Sequence, residues 1–322
     1  MEEIAPRSEP SIRHLLVSVV IPACNEEEAI ASVIDEVRAA MASEEYRYEI
    51  LVVDDCSTDR TAAVAGEKGV QVIRRAFNGG SGACRKTGIL AAHGEVVVML
   101  DGDGTYTAAD IPCLLEHMPA YDQVNGARTS EQGTLRLLRM PAKWLIRKLA
   151  CYLTGTHIPD LNTGLKAFRR DVMLEYLWVL PQGFSCVTSM TLAFLCNGYA
   201  VKYVPTTYRK RIGKSKFHPV LDTWRYLKTL LRMVMFFAPL RIFGPLSALL
   251  LVASMVTGYY HFFVAAQHTL QEMDIILFVG GVGILTIGML AELMIRQRAT
   301  NELELRYWRQ IFHEDADSEQ RG

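Results

Sequence analysis

The chain has 322 residues, half of them apolar, and 34 basic against 35 acidic side chains give a formal net charge of −1. Near neutrality excludes a nucleic-acid partner held by bulk charge, and a chain of about two domains' length buries a full core without disulfide staples. The mean hydropathy of +0.13 is high for a wholly soluble protein, and the excess apolarity lies at the C-terminal end, which points to a membrane.

In chain order, the first apolar run is Leu15 to Ala23. Glu2, Glu3 and Glu9 precede it and Asn25 with three glutamates follows, so it reads as a buried strand and not as a signal peptide. Val17 to Ile21, Ile50 to Val53, Val70 to Ile73 and Val96 to Leu100 are short, rich in Val and Ile and not alternating, as expected of strands covered on both faces. Helical stretches separate them: Glu26 to Met41, Asp59 to Lys68 with Asp59 as N-cap and Gly69 past its end, and Ser81 to Ala92. This β-α-β-α-β-α-β order predicts a mostly parallel sheet in an α/β fold. Such sheets bind ligands at the carboxyl ends of their strands, here beside Asn25 and Glu26, Asp54 and Asp55, and Asp101 and Asp103.

Thr134 to Gly155 carries Arg136, Arg139, Lys143, Arg147 and Lys148 and no acid, interleaved with Leu and Trp144, a pattern suited to a basic amphipathic helix at a membrane surface. Lys202 to Arg241 holds ten Lys and Arg against the single Asp222. Ile242 to Gln271 then has no formal charge over 30 residues, and Ile275 to Ala291 adds 17 more, extended by Ile295 past Glu292. A spanning helix needs about 20 apolar residues, so two spans are expected. The link near Gln267 to Asp274 has no Lys or Arg, whereas Arg225, Lys228, Arg232 and Arg241 flank one side and Arg296, Arg298, Arg306 and Arg309 the other. The positive-inside rule places both termini and the large domain in the cytoplasm. Gly280, Gly281, Gly283 and Gly288 in the second span are candidates for close helix packing or a homo-oligomer contact. The expected organisation is an N-terminal tail (1–14), the α/β domain (15–219), a juxtamembrane interfacial helix (220–241), two spans (242–295) and a cytoplasmic tail (296–322).

The seven cysteines are scattered, with no CxxC pair and no metal-ligand spacing, and read as reduced thiols. Asp101 and Asp103 flank Gly102 directly after an all-apolar run, in VVVMLDGDGTYTAADI. Two carboxylates so placed hold one divalent cation, Mg²⁺ or Mn²⁺, against the phosphates of a nucleotide. A phosphate loop of the GxxxxGK[ST] kind is excluded, because GGSGACRKTG puts Arg85 before Lys86 and Thr87. PACNEEE follows the first strand where a dinucleotide-binding fold would have GxGxxG.

VSVVIPACNEEEAI, EILVVDDCSTDRT, FNGGSGACRKTG, VVVMLDGDG, VNGART, IPDLNTGLKAFRR and YRKRIGKSK, in this order, resemble the family 2 glycosyltransferases. Within them the chain is similar to the polyprenol-phosphate sugar synthases, the dolichol-phosphate mannose synthase type, followed by two spans. The resemblance covers about residues 15 to 240 and implies a GT-A fold. It implies a nucleotide-sugar pocket at Pro22, Cys24, Glu26, Val53 and Asp55, with Asp55 against the base, and a metal and diphosphate site at Asp101, Gly102 and Asp103. It further assigns phosphate contacts to Arg128, Arg211 and Lys216, with the late position open among Arg209, Lys210 and Arg211. A guanidinium suits that task because its fork of donors meets phosphate oxygens in pairs. Asp160 and Asn162 fall on the sugar or acceptor side, and Lys143, Arg147 and Ser215 on the lipid phosphate. The chain departs from the family pattern at Cys24, Thr105 and Ser185, where relatives carry Tyr, Gln and Lys.

The activity implied is an inverting, metal-dependent transfer of one hexose from a GDP- or UDP-sugar to a polyprenyl phosphate, with Asp103, Arg128 and Asp160 as the residues nearest the chemistry. A family 2 enzyme with a hydroxyl acceptor would need a carboxylate base in GFSCVTSMTLAFL, and none is there. An inactive membrane scaffold is disfavoured by the intact Asp55, Asp101 and Asp103.

Overall fold

The computed structural model describes residues 15–42, 46–128, 147–152, 154–183, 185–209, 228, 231–232, 235–264, 269 and 271–319, with backbone alone at 296 and 298–319. Two compact units divide the chain, Met1–Met233 and Val234–Gly322.

The first unit is built on a seven-stranded sheet. Its strands are β1 (Leu16–Ala23), β2 (Arg47–Asp54), β3 (Gln71–Arg74), β4 (Val96–Met99), β5 (Gln123–Arg128), β6 (Lys166–Arg169) and β7 (Val201–Thr206), in the spatial order β3-β2-β1-β4-β6-β5-β7. Neighbours pair in parallel except β6, which runs against both β4 and β5. The α/β fold with a mostly parallel sheet is the expected one. Val17, Val19, Val20 and Ile21 are all fully buried, because helices cover both faces of β1. On one face it meets α1 (Ile30–Ala42) and α4 (Ile111–Glu116), through Ile30, Ile34 and Leu114. On the other lie α3 (Ser81–Ala91), α5 (Arg170–Glu175) and α6 (Cys186–Cys196), through Ile89, Met173 and Phe194. Truncating one such side chain, Ile34→Ala for example, costs about 2–5 kcal/mol.

α1 begins at Ile30 and not at the expected Glu26. The intervening backbone N–H groups are drawn to the loop after β2: Asn25 N donates to Ser57 Oγ at 2.9 Å, Glu26 N to Thr61 Oγ1 at 2.8 Å and Glu27 N to Asp59 Oδ2 at 3.3 Å. Asn25 adopts φ 51° to make that bend. The N-cap of α2 (Thr61–Glu67) is Arg60, one residue after the expected Asp59, although Asp59 Oδ1 still accepts the Thr61 N–H at 3.0 Å. Gly69, at φ +65°, follows the end of α2 as expected.

The second unit holds α7 (Leu240–Tyr259), a π-helical turn (Tyr260–Val264) and α8 (Glu272–Glu319). Leu240–Val264 and Glu272–Ile295 are long and apolar enough to cross a membrane. They pack through small residues: Ser247 Oγ donates to Gly281 O at 2.8 Å, and a Cβ on Gly281 or Gly288 would come within 2.8 Å of Leu251 or 2.7 Å of Phe243. Gly280 and Gly283, grouped with them by composition, have open space instead. Helix α8 continues through residues 296–319, expected only as a tail. The link end is tied by Asp274, whose Oδ2 meets His261 Nδ1 at 2.9 Å and accepts the Gln271 N–H at 3.0 Å.

Candidate active site

The carboxyl ends of β1, β2, β4 and β5 deliver Cys24, Asp55, Asp101 and Arg128 to one edge of the sheet. Because β6 is antiparallel, the Asp160-to-Gly164 segment that precedes it arrives at the same edge.

Asp55 is buried and grips the glycine-rich turn. Its oxygens accept the N–H groups of Gly79 at 3.0 Å and Gly80 at 2.7 Å, and Arg75 pairs with it. Gly80 stands at φ +86°, and a Cβ there would lie 2.9 Å from Gln182 O, so only glycine fits. Asn78 Nδ2 reaches Cys24 Sγ at 3.4 Å and Asp55 O at 3.3 Å, which joins this turn to the end of β1. Asp54 faces inward and serves structure, accepting bonds from Ser57. Pro22 is buried in register with Val53. The Val53 side chain is fully buried against α3, where a Cβ on Gly88 would meet it at 3.2 Å. Val53 therefore presents backbone and not side chain to the edge. Glu26 is half-buried in the bend after β1.

Asp101 is ion-paired to Arg85, a nearly fully buried guanidinium on α3. Gly164 presses on it so closely that a Cβ would sit 2.1 Å from Asp101 Oδ2. Asp103 folds back on its own loop, its Oδ1 accepting from Thr105 N at 3.1 Å and Thr105 Oγ1 at 2.6 Å. Gly102 packs under Pro22 O. Both aspartates are thus oriented by their surroundings, and carboxylate oxygens are the kind of donor that could hold Mg²⁺ or Mn²⁺. Among the described residues no cluster of three or more His, Cys, Asp or Glu is built to hold a metal.

Arg128 and Asp160 form a two-point pair, Nε to Oδ2 at 2.6 Å and Nη2 to Oδ1 at 2.8 Å. Burial works to raise the Asp160 pKa, but the bonds and charge of Arg128 outweigh it and hold the carboxyl below its ordinary value. Asn162 N donates to Asp160 Oδ1 at 3.0 Å, and Asn162 Oδ1 accepts from Thr188 Oγ1 at 2.7 Å, joining this pair to the first turn of α6. Arg147 is exposed on a helical stretch, residues 147–152. Lys143, Arg211, Ser215 and Lys216 lie outside the described residues.

Three residues at this edge were not singled out from sequence. Arg85, the residue that breaks the GxxxxGK[ST] pattern, lies on the helix that follows the glycine-rich turn, and that position is its signal in the sequence. Tyr106 is buried and its hydroxyl accepts the Gly164 N–H at 2.8 Å. Lys166 is fully buried, with Nζ donating to Asn125 Oδ1 at 3.0 Å and Thr191 Oγ1 at 2.7 Å.

Comparison with known proteins gives two family matches: Glycosyl transferase family 2 over residues 18–177, and GtrB C-terminal hairpin over residues 238–296. A dodecaprenyl-phosphate galacturonate synthase of Rhizobium johnstonii is 25% identical, with 99% of each chain covered. A dolichyl-phosphate hexose transferase of Haloferax volcanii is 32% identical over 63% of this chain and 87% of its own. A polyprenol monophosphomannose synthase of Mycolicibacterium smegmatis is 30% identical over 62% of this chain and 79% of its own. Among solved structures, glucosyl-3-phosphoglycerate synthase from Mycobacterium tuberculosis in complex with Mn²⁺, UDP and glucosyl-3-phosphoglycerate has a TM-score of 0.56 at 22% identity, covering 69% of this chain and 81% of that one. That likeness shows the fold.

Proposed function

We propose, from the premise that this chain belongs to glycosyl transferase family 2 and is a glycosyltransferase, that it transfers one hexose from a GDP- or UDP-sugar to a polyprenyl phosphate, with inversion, at the cytoplasmic face of a membrane. The observation that carries the choice of acceptor is the Arg128–Asp160 pair. A sugar or lipid hydroxyl needs a base to remove its proton, a contribution of about 10²- to 10⁴-fold. Asp160 is committed to Arg128 on both oxygens, and the described part of the segment 185–199 contains no carboxylate. A phosphate monoester, with its second pKa near 6, is largely a dianion at neutral pH and attacks unaided. The names of the relatives, two of them polyprenyl- or dodecaprenyl-phosphate synthases, agree with this choice.

In this reading Asp101 and Asp103 would hold Mg²⁺ or Mn²⁺, which would supply positive charge to offset that of the departing nucleoside diphosphate. Arg85 keeps Asp101 in place, Thr105 keeps Asp103 in place, and Asp160 sets the plane of Arg128 so that its outer donors meet the anionic donor or acceptor. Asp55 shapes the glycine-rich turn beside the base pocket of Pro22, Cys24 and Glu26. Arg211 and Lys216 contact the donor's phosphates, Lys143, Arg147 and Ser215 the lipid phosphate, and the apolar hairpin holds the chain in the membrane that carries the lipid. Alignment of a bound dianion with the anomeric carbon then supplies much of the rate.

Membranes containing the full chain, incubated with polyprenyl phosphate, Mn²⁺ and a panel of labelled nucleotide-sugars, test this directly. The expected product is a polyprenyl phosphate heavier by one hexose residue. Transfer to a glycan or lipid hydroxyl, with polyprenyl phosphate unmodified, overturns the acceptor assignment.

A further inference from the structure

The residues leaving β7 cross the loop that carries Asp103 and fasten to it at three successive positions. Thr207 N donates to Asp110 Oδ2 at 3.0 Å, Tyr208 forms an antiparallel bridge with Tyr106, and Arg209 N donates to Thr105 O at 2.7 Å. Arg209 Nη1 then reaches Glu36 Oε1 on α1 at 2.8 Å, which anchors the strap to the body of the domain.

The side chain at the centre of this strap has a further reach. Tyr208 packs edge-on against Tyr106, with ring centroids 5.1 Å apart and planes at 74°. Its face lies under Arg128, whose Cζ is 5.3 Å from the ring centroid. The Tyr106 hydroxyl in turn caps Gly164 N at 2.8 Å, and Gly164 is the residue pressed against Asp101. One half-buried aromatic residue therefore touches both the loop that bears Asp103 and the guanidinium of Arg128. Asp160 fixes the edge of that guanidinium, and two in-plane bonds leave its tilt about the pair axis undetermined. The Tyr208 ring beneath Arg128 Cζ restrains that remaining freedom.

We propose that Tyr208 is a positioning residue for sugar transfer, holding Arg128 at a set height over the Asp101–Asp103 loop so that the guanidinium and the metal-binding carboxylates address one diphosphate together. This rests on the reading of the edge as a nucleotide-sugar site. The aromatic face carries the effect; the hydroxyl is secondary. Its consequence is that loss of the ring misplaces Arg128 while Arg128, Asp101 and Asp103 are all still present, and small misplacements of a phosphate contact are costly in rate.

Tyr208→Leu, which keeps apolar bulk but removes the ring, and Tyr208→Phe, which keeps the ring, separate the two contributions. Two readouts are taken on the full chain in detergent: the Mn²⁺-dependent rise in melting temperature with UDP or GDP, and kcat with polyprenyl phosphate. Tyr208→Leu is expected to melt near wild type without ligand, to lose most of the nucleotide-dependent rise and to lower kcat by about 10- to 100-fold. Tyr208→Phe is expected to behave as wild type in both. In an Arg128→Lys background, where no planar guanidinium is left to orient, Tyr208→Leu should add little further loss. Wild-type binding and turnover in Tyr208→Leu, equal damage in Tyr208→Phe, or fully additive losses with Arg128→Lys would each overturn the proposal. A wild-type chain that binds UDP or GDP with Mn²⁺ but modifies no polyprenyl phosphate counts against the acceptor reading alone, since the binding arm still decides the role of Tyr208.

Discussion

Arg128 grips the Asp160 carboxylate at two points, 2.6 and 2.8 Å, and donates to it from its backbone N–H as well at 3.3 Å. Three bonds from one residue make this carboxylate an anchor. An anchor of that kind is a poor base, because protonating it would forfeit the bonds that hold the pair together.

Asp160→Asn keeps the shape and removes the charge. Loss of a charged hydrogen-bond partner costs about 1.5–3 kcal/mol, roughly 10- to 150-fold in kcat. The acidic limb of the pH profile should stay near the acceptor phosphate's own pKa of about 6, since Asp160 itself does not titrate in turnover. Rescue of the variant by formate or azide, small bases that replace a lost carboxylate, would return Asp160 to the role of general base.

Asp103→Ala removes one of the two carboxylates assigned to the cation. Turnover should fall below about 1% of wild type, and saturating Mn²⁺ should not restore it. Because the Thr105 bonds to Asp103 are lost too, the melting temperature without ligand is measured alongside, and it should move less than the Mn²⁺-dependent response to nucleoside diphosphate. Near wild-type activity at saturating Mn²⁺ is the result that refutes the metal assignment.

Lys166 makes a separate prediction about pH. Complete burial pushes its pKa from 10.5 to about 7, and the charges of Arg85 and Arg128 push the same way against an opposing pull from Asp160. The folded chain therefore binds this proton less tightly than the unfolded chain does. Its penalty is full below pH 7 and is relieved as pH climbs through the window from about 7 to 10.5, so this residue makes stability rise with pH there. Lys166→Met should flatten that rise, with the variant faring best relative to wild type at the acidic end. Melting temperatures of the full chain from pH 6 to pH 9.5 provide the comparison, and parallel curves would contradict it.

Topology is tested with single cysteines at Thr269 and Ser318, in a background whose seven native cysteines are replaced. An impermeant thiol reagent applied to intact cells should label position 269 and reach position 318 only after permeabilisation, as the positive-inside rule predicts from the flanking Lys and Arg. The reverse pattern would invert the assigned orientation of the hairpin.

Much of this protein is written locally in its chain. The buried strands β1, β2 and β4 announce themselves as unbroken Val and Ile runs, the two apolar helices as long uncharged runs, and the Asp101 and Asp103 carboxylates as polar residues at the abrupt end of an apolar strand, since each signal depends on neighbours in sequence. Strand β3, expected from its Val and Ile run to be covered on both faces, is instead the partly exposed edge strand of the sheet. The family resemblance, read from ordered motifs, agrees with the match to Glycosyl transferase family 2 and its C-terminal hairpin. The polar strands β5 and β6 gave no such signal. Gln123, Asn125 and Lys166 look like surface residues and are buried, because they form one chain of hydrogen bonds: Gln123 donates to Asn125 on its own strand, and Lys166 on β6 donates to Asn125 and to Thr191 on α6. Asp54 and Asp55 are adjacent and alike in sequence, yet one turns inward to Ser57 and the other outward to the Gly79–Gly80 turn. The pairing of Arg85 with Asp101, of Arg128 with Asp160 and of Tyr208 with Tyr106 joins residues 16, 32 and 102 positions apart. Composition and periodicity carry no information about which distant groups meet. For Arg128 and Asp160 the antiparallel course of β6 decided that, by bringing the segment before it to the same sheet edge as the end of β5; for the other two pairs it was the packing of α3 and the path of the chain after β7.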